Sequence, residues 1–257
     1  MAEALTLTTL LAGMLKFDGI FTLQTKGDGA IPTLVCDMTN SGTLRGYASY
    51  DIEKLKQVKE KHEGDGHILP KDLIGKGYLA FTVDQKEVAE RYQGLVELSD
   101  DKVVDSVQHY FKQSEQIKVG IKVFAKRDDK GQWHGSAIML QELPAQNTKT
   151  ANDVEDDWRR CMMLLETATQ KEMLDPKLPI NTMIYRLFHE EEPRVFDSTR
   201  IQKGCRCSRE KVSNVLNTLS ADEIREYKID GKVFITCEFC NTQYDFTQGD
   251  LDALHNE

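Results

Sequence analysis

The chain has 257 residues, 40% apolar and 29% charged, with a formal net charge of −9. That length suits one large domain or two unequal ones, each with its own core. The negative balance argues against broad nucleic-acid binding, which needs a basic footprint, and against an anionic membrane surface as partner.

The opening "MAEALTLTTLLAGMLKFDG" is apolar over 4–15. It carries Glu3 and lacks a basic leader and a small-residue cleavage site, so it predicts a buried helix rather than a signal peptide. No apolar run approaches the roughly 18 residues of a spanning helix, and a cytoplasmic protein with reduced thiols is expected. Strand patterns follow at 19–25, 31–37 and 43–51, separated by the turns "KGDGA" and "TNSG", which reads as a meander. "KGDGA" has no strand–helix phosphate-loop setting and predicts a turn. Residues 52–76 are charged and read as an exposed excursion. Two more strands are expected at 77–85 and 92–98. Val103, Val107, Tyr110 and Phe111 then recur at helical spacing, with Ser99 as the candidate N-cap. Residues 116–128 and 132–143 predict a hairpin around "DDKG". Up to residue 149 the pattern is an α+β core domain rich in antiparallel strands.

From 150 the character changes. Asn152 and Glu155 suit a helix start, and Val154, Trp158, Cys161, Met162 and Leu165 mark one helical face. Ile180, Met183, Ile184, Leu187 and Phe188 mark a second, ended by "HEEEP". That last stretch lacks the second His of a zinc-protease motif and reads as a solvated helix end. Two amphipathic helices in a Pro-punctuated segment form a helical linker, 150–204. In the tail, 205–257, Ser208 is placed to cap a helix with Val212, Val215, Leu216 and Leu219 on one face. "SADE" matches a capping box. Strands at 232–236 and 242–246 flank "CEFC", and a short helix, "GDLDAL", closes the chain.

Four of the six cysteines lie in that tail, in "GCRCSRE" (204–210) and "TCEFCN" (236–241). Such spacings suit a metal cage, two disulfides, or both in turn. A tail of about 50 residues buries little apolar surface. A four-thiolate zinc site contributes about 10–16 kcal/mol, as much as the whole stability of a typical domain, about 5–15 kcal/mol. Cys205, Cys207, Cys237 and Cys240 are therefore the expected ligands of one Zn²⁺. Lys203, Arg206, Arg209 and Lys211 lie close in sequence and are expected to favour the thiolates. An oxidant that makes one sulfenic acid invites its neighbour to close a disulfide, removing two ligands at once. These are the makings of an oxidation-triggered switch, with a purely structural zinc ribbon as the alternative. Cys36 and Cys161 read as small buried apolar residues, and His255 as a terminal residue rather than a further ligand.

"CRCSRE", "YRLFHEEE", "HYFKQSEQ" and "LKFDG" together resemble the 33 kDa chaperonin family of redox-regulated holdases, over essentially the whole chain. The resemblance implies a reduced, zinc-bound, inactive monomer. It implies that peroxide or hypochlorous acid, with unfolding conditions, forms disulfides Cys205–Cys207 and Cys237–Cys240. Zinc then leaves, the tail and linker unfold, and an oxidised homodimer holds unfolding client proteins without ATP and without catalytic turnover. Trp158, Met162, Leu165, Ile184 and Phe188 become the implied client surface; in the reduced state they are expected to be packed. Family members carry several dozen residues before the position matching Leu5, so a core short of one strand and one helix is expected.

Two rivals fit less well. A nucleic-acid-binding zinc ribbon would show a basic tail, and this one carries "SADEIRE" and "DFTQGDLD". A dithiol–disulfide oxidoreductase needs a βαβ setting around Cys-x-x-Cys, and a hairpin is expected here. No Ser-His-Asp or paired-carboxylate constellation is evident, so no enzyme is expected.

Overall fold

A computed structural model describes residues 1–63, 68–85, 91–98, 101–143 and 150–254. The chain forms two compact units, 1–202 and 203–257. Its class is α+β with antiparallel sheets.

In the first unit, β1 (Gly19–Gly27), β2 (Thr33–Thr39) and β3 (Thr43–Ser49) form the expected meander, and β4 (Gly77–Gln85) and β5 (Tyr92–Glu97) join it in the order β5-β4-β1-β2-β3. All four pairings are antiparallel. Alternation along the strands turns Phe21 and Leu23, Leu34, Cys36 and Met38, and Leu79, Phe81 and Val83 into one core, as the period of two requires. On β2 the alternation also buries Asp37, 4% exposed, and Arg45 Nε satisfies it at 3.1 and 3.0 Å from its two carboxylate oxygens.

Helix α1 (Ala2–Met14) covers that core with Ala4, Leu7, Leu11 and Ala12. The hydroxyls of Thr6, Thr8 and Thr9 donate to the carbonyls of Ala2, Ala4 and Leu5 at 2.9, 2.7 and 3.0 Å. A helix rich in threonine can thus be buried with its polar groups satisfied.

Residues 52–76 are not merely an excursion. They hold α2 (Ile52–Lys61) and α3 (Pro70–Ile74). Helix α2 buries none of its residues. It is held by Asp51, which accepts from the N–H groups of Glu53 and Lys54, and by a Glu53–Lys56 pair at 2.8 Å. Ile52, Leu55 and Val58 do recur at helical spacing, a narrow stripe that the surrounding charges obscure. Helix α4 (Val103–Gln113) has Lys102 at its N-cap; the proposed cap Ser99 lies outside the described residues.

The hairpin β6 (Val119–Arg127) and β7 (Trp133–Gln141) forms as read. Helices α5 (Ala151–Thr167), the short α6 (Gln170–Met173) and α7 (Ile180–Phe188) follow. Thr150 and Asp153 make the capping box of α5, displacing the predicted start at Asn152 and Glu155, because a hydroxyl three residues ahead of a carboxylate satisfies two free N–H groups reciprocally. Ala168, Met173 and Met183 are buried together with Phe124 and Ile138 of the hairpin packed against them. The "HEEEP" stretch is less solvated than expected: Glu191 takes a bidentate bond from Arg160 at 2.6 and 2.9 Å. A short strand, β8 (Gln202–Lys203), extends the sheet at β3 through the Gln202 N–H, which donates to the Gly42 carbonyl at 3.0 Å.

The second unit holds α8 (Arg209–Leu216), α9 (Ala221–Glu226), a three-stranded sheet of β9 (Lys228–Ile229), β10 (Lys232–Thr236) and β11 (Gln243–Phe246), and α10 (Gln248–Leu254). Ser208 caps α8, and Ser220 with Glu223 forms the expected capping box. Among the described residues its buried core is Leu216, Ile224, Val233, Phe246 and Leu251. Val215, predicted to share that face, is instead 63% exposed, because α8 is short and Val212, Leu216 and Leu219 already fill the contact.

Leu23 is fully buried, so Leu23→Ala is expected to cost about 2–5 kcal/mol. Urea unfolding followed by tryptophan fluorescence would show it as a lowered midpoint of the first unit.

Candidate functional site

Cys205 and Cys207 lie in the irregular stretch between β8 and α8. Ser208, itself extended, caps α8 directly after Cys207. Cys237 and Cys240 sit on the turn between β10 and β11. The Cys237 N–H donates to the Thr242 carbonyl at 2.9 Å and the Asn241 N–H to the Cys237 carbonyl at 2.8 Å. Asn241 takes a left-handed φ of 57°, a conformation its short polar side chain tolerates, and this folds the turn back on itself.

The two half-sites meet. Cys205 Sγ is 3.7 Å from Cys237 Sγ, and Cys207 Sγ is 3.4 Å from Cys240 Sγ. All four sulfurs lie within 4.8 Å of one another. A tetrahedral zinc with bonds of about 2.3 Å needs sulfur–sulfur edges of about 3.8 Å, so the donor set matches in element, number and spacing. None of the six cysteines is joined in a disulfide.

The surroundings of the sulfurs differ from the sequence reading. Arg209 donates to the Asp245 carbonyl at 2.7 Å, pairs with Asp250 at 3.2 Å and lies 4.3 Å over the Phe246 ring. Lys211 donates to the Arg206 carbonyl at 2.9 Å. These two cations brace the local fold through those bonds. Hydroxyls contact the sulfurs. Tyr244 donates to Cys207 Sγ at 3.1 Å, and Thr242 Oγ1 is hydrogen-bonded to Cys240 Sγ at 3.2 Å. Both were overlooked in the sequence: Tyr244 lies on β11, 37 residues from Cys207, and Thr242 follows Cys240 by two just before that strand.

The Tyr244 hydroxyl lowers the Cys207 thiol, but the hydrogen bond shared with Cys240, burial, and Cys205 and Cys237 outweigh it and push Cys207 up to about 12. The side-chain and backbone bonds of Thr242, by contrast, lower Cys240. Four sulfurs this close resist ionising together, and a divalent cation removes that resistance.

The other predicted residues are placed as follows. Trp158 and Met162 on α5 and Ile184 on α7 are half-buried, while Leu165 and Phe188 are 1% and 7% exposed; these faces are packed, as expected. Cys36 is buried, and burial pushes its thiol up to about 12, which suits an inert core residue; Cys161 is half-buried on α5. His255 lies outside the described residues.

A sequence model described as "Hsp33 protein" matches residues 1–247. The chain is 35% identical to a 33 kDa chaperonin of Nitrosococcus oceani over 259 residues, covering 100% of this chain and 81% of that one. It is 32% identical to a 33 kDa chaperonin of Caulobacter vibrioides over 250 residues, 95% of this chain and 80% of that one. The fold is shared with the crystal structure of a 33 kDa chaperonin from Thermotoga maritima, with a TM-score of 0.78 and 22% identity over 98% of this chain and 83% of that one. No helix among the described residues is long and apolar enough to cross a membrane.

Tyr244→Phe keeps the ring packed in the tail and deletes only the hydroxyl on Cys207. Loss of such an outer-shell bond is expected to weaken zinc affinity about 10-fold or more, read by competition with a chromophoric chelator; unchanged affinity would show the hydroxyl to be incidental.

Proposed function

The chain belongs to the Hsp33 protein family, and on that footing we propose that it is a redox-regulated, ATP-independent holdase of the cytoplasm. A chaperone role is supported by its relatives, which are named chaperonins. The redox part is carried by one observation: four thiols from two segments more than thirty residues apart converge in one cluster.

In this reading Cys205, Cys207, Cys237 and Cys240 hold one Zn²⁺ in the reduced, inactive form. Bound there, the metal would keep all four sulfurs as thiolates and staple the small tail core. Tyr244 and Thr242 orient two of the sulfurs by hydrogen bonds. Peroxide or hypochlorous acid converts one thiolate of a pair to a sulfenic acid; the partner sulfur attacks it, the S–S bond forms and water leaves. Closing Cys205–Cys207 and Cys237–Cys240 removes all four ligands.

The tail, 205–257, and the linker, 150–204, then unfold from the core, 1–149. The faces bearing Trp158, Met162, Leu165, Ile184 and Phe188, now packed, become surface for unfolding client proteins, and the oxidised form assembles as a homodimer. The reading assigns no catalytic turnover.

Light scattering from a chemically unfolded client tests this. The zinc-loaded reduced protein is expected to leave aggregation unchanged. The protein treated with peroxide at mild heat should suppress it and release one zinc per chain to a chromophoric chelator. Suppression by neither form would reduce the cluster to a structural staple. Equal suppression by both would remove the switch.

A further inference from the structure

Residues 150–204 hold four of the eight methionines of the chain, Met162, Met163, Met173 and Met183. Three of them fasten this segment to the β6–β7 hairpin. Met173 and Met183, each 7% exposed, are buried with Phe124 and Ile138 packed against them. Met162 is seated over Gly120 of β6, where a β-carbon would fall 2.2 Å from its Sδ, 2.6 Å from its Cε and 3.2 Å from Leu165 Cδ2. Only glycine leaves room for that thioether to approach the strand. Polar ties of α5 to this strand region include Lys118 to Glu155 at 2.5 Å, and Lys122, its side chain 17% exposed, to the Glu166 carbonyl at 2.5 Å, the Glu166 carboxylate at 3.0 Å and the Ala168 carbonyl at 3.3 Å. The exposed Lys118 pair contributes little, and the apolar contacts are the larger part of the docking of α5.

We propose that Met162 is an oxidation site in its own right, and that its sulfoxide loosens α5 from β6 independently of the four cysteines. Half-buried, Met162 is open to a small oxidant, unlike Met173 and Met183. A lone pair on Sδ takes the oxygen of hypochlorous acid or hydrogen peroxide. The S–O bond forms, the O–Cl or O–O bond breaks, the sulfur gives up two electrons, and chloride with a proton, or water, leaves. The product is larger and polar in a notch cut to fit a bare thioether. A methionine sulfoxide reductase with a thiol reductant reverses it. The inference rests on the reading of residues 150–204 as the segment that is released, and adds a second chemistry that releases it.

The test restores the thiols while leaving the sulfoxide. The zinc-loaded full chain is treated with hypochlorous acid, then with dithiothreitol and zinc until the zinc content returns to one per chain. Peptide mass spectrometry locates the added oxygen, and hydrogen exchange reads α5. The expected result is a one-oxygen gain at Met162 and about 10-fold or faster exchange in α5. Met162→Leu, close in volume, should show treated exchange equal to its own untreated value. Met163→Leu, altered at a side chain 58% exposed, should keep the effect. The proposal is overturned if Met162 escapes oxidation, if its sulfoxide leaves α5 protected, or if Met162→Leu opens as the parent does. None of these readings depends on aggregation suppression, so a failed holdase assay and a failed methionine site are told apart.

Discussion

Four sulfurs drawn within 4.8 Å of one another set the terms for the second unit. Its described core is five buried apolar side chains, too few to hold some 55 residues by burial alone. Local features bring the sulfurs together: a short irregular stretch that carries two of them, a serine cap that ends it, and a left-handed asparagine in the hairpin turn. Arg209 and Lys211 bond to carbonyls, a carboxylate and a ring, while Tyr244 donates to Cys207 and Thr242 accepts from Cys240. These neutral bonds help to orient two of the sulfurs.

The first unit depends on a different constraint, the strict alternation of one antiparallel sheet. Strands β1, β2 and β4 send every second side chain into a single core, and α1 and α4 close over it. The hairpin β6–β7 then offers a second surface on which α5 and α7 rest. That second contact mixes methionine, alanine and a glycine notch with Phe124, Ile138, Leu178 and Leu187. Its methionines fill irregular space with less specific fit than branched side chains.

Most of this was legible in the sequence because it is periodic. The meander, the hairpin, the two linker helices and the tail hairpin announce themselves by spacing two or by spacing three and four, and the paired cysteines by their motifs. What escaped is not settled by periodicity. Helix α2 has no buried face and lives on a cap and an ion pair. Val215 lies at a helical spacing that a short helix does not need. Arg209 and Lys211 are near the cysteines along the chain yet bond elsewhere, and Tyr244 is remote in sequence from Cys207 but adjacent in space. Side-chain partners across a fold are set by register, which spacing alone does not reveal.

The sulfur cluster also bears on the chain before it folds. Its contacts join residues 32 and 33 positions apart, and a cross-link closing a loop of that size lowers the entropy of the unfolded chain by about 3–4 kcal/mol, against about 1.5–2 kcal/mol for each loop of three or four residues. Under the proposed pairing, oxidation exchanges one long-range tie for two local rings made from the same four atoms. The tail would lose a topological restraint along with its metal, and re-reduction would return the thiols at once but leave the long-range encounter of the two half-sites to be found again by diffusion of the chain.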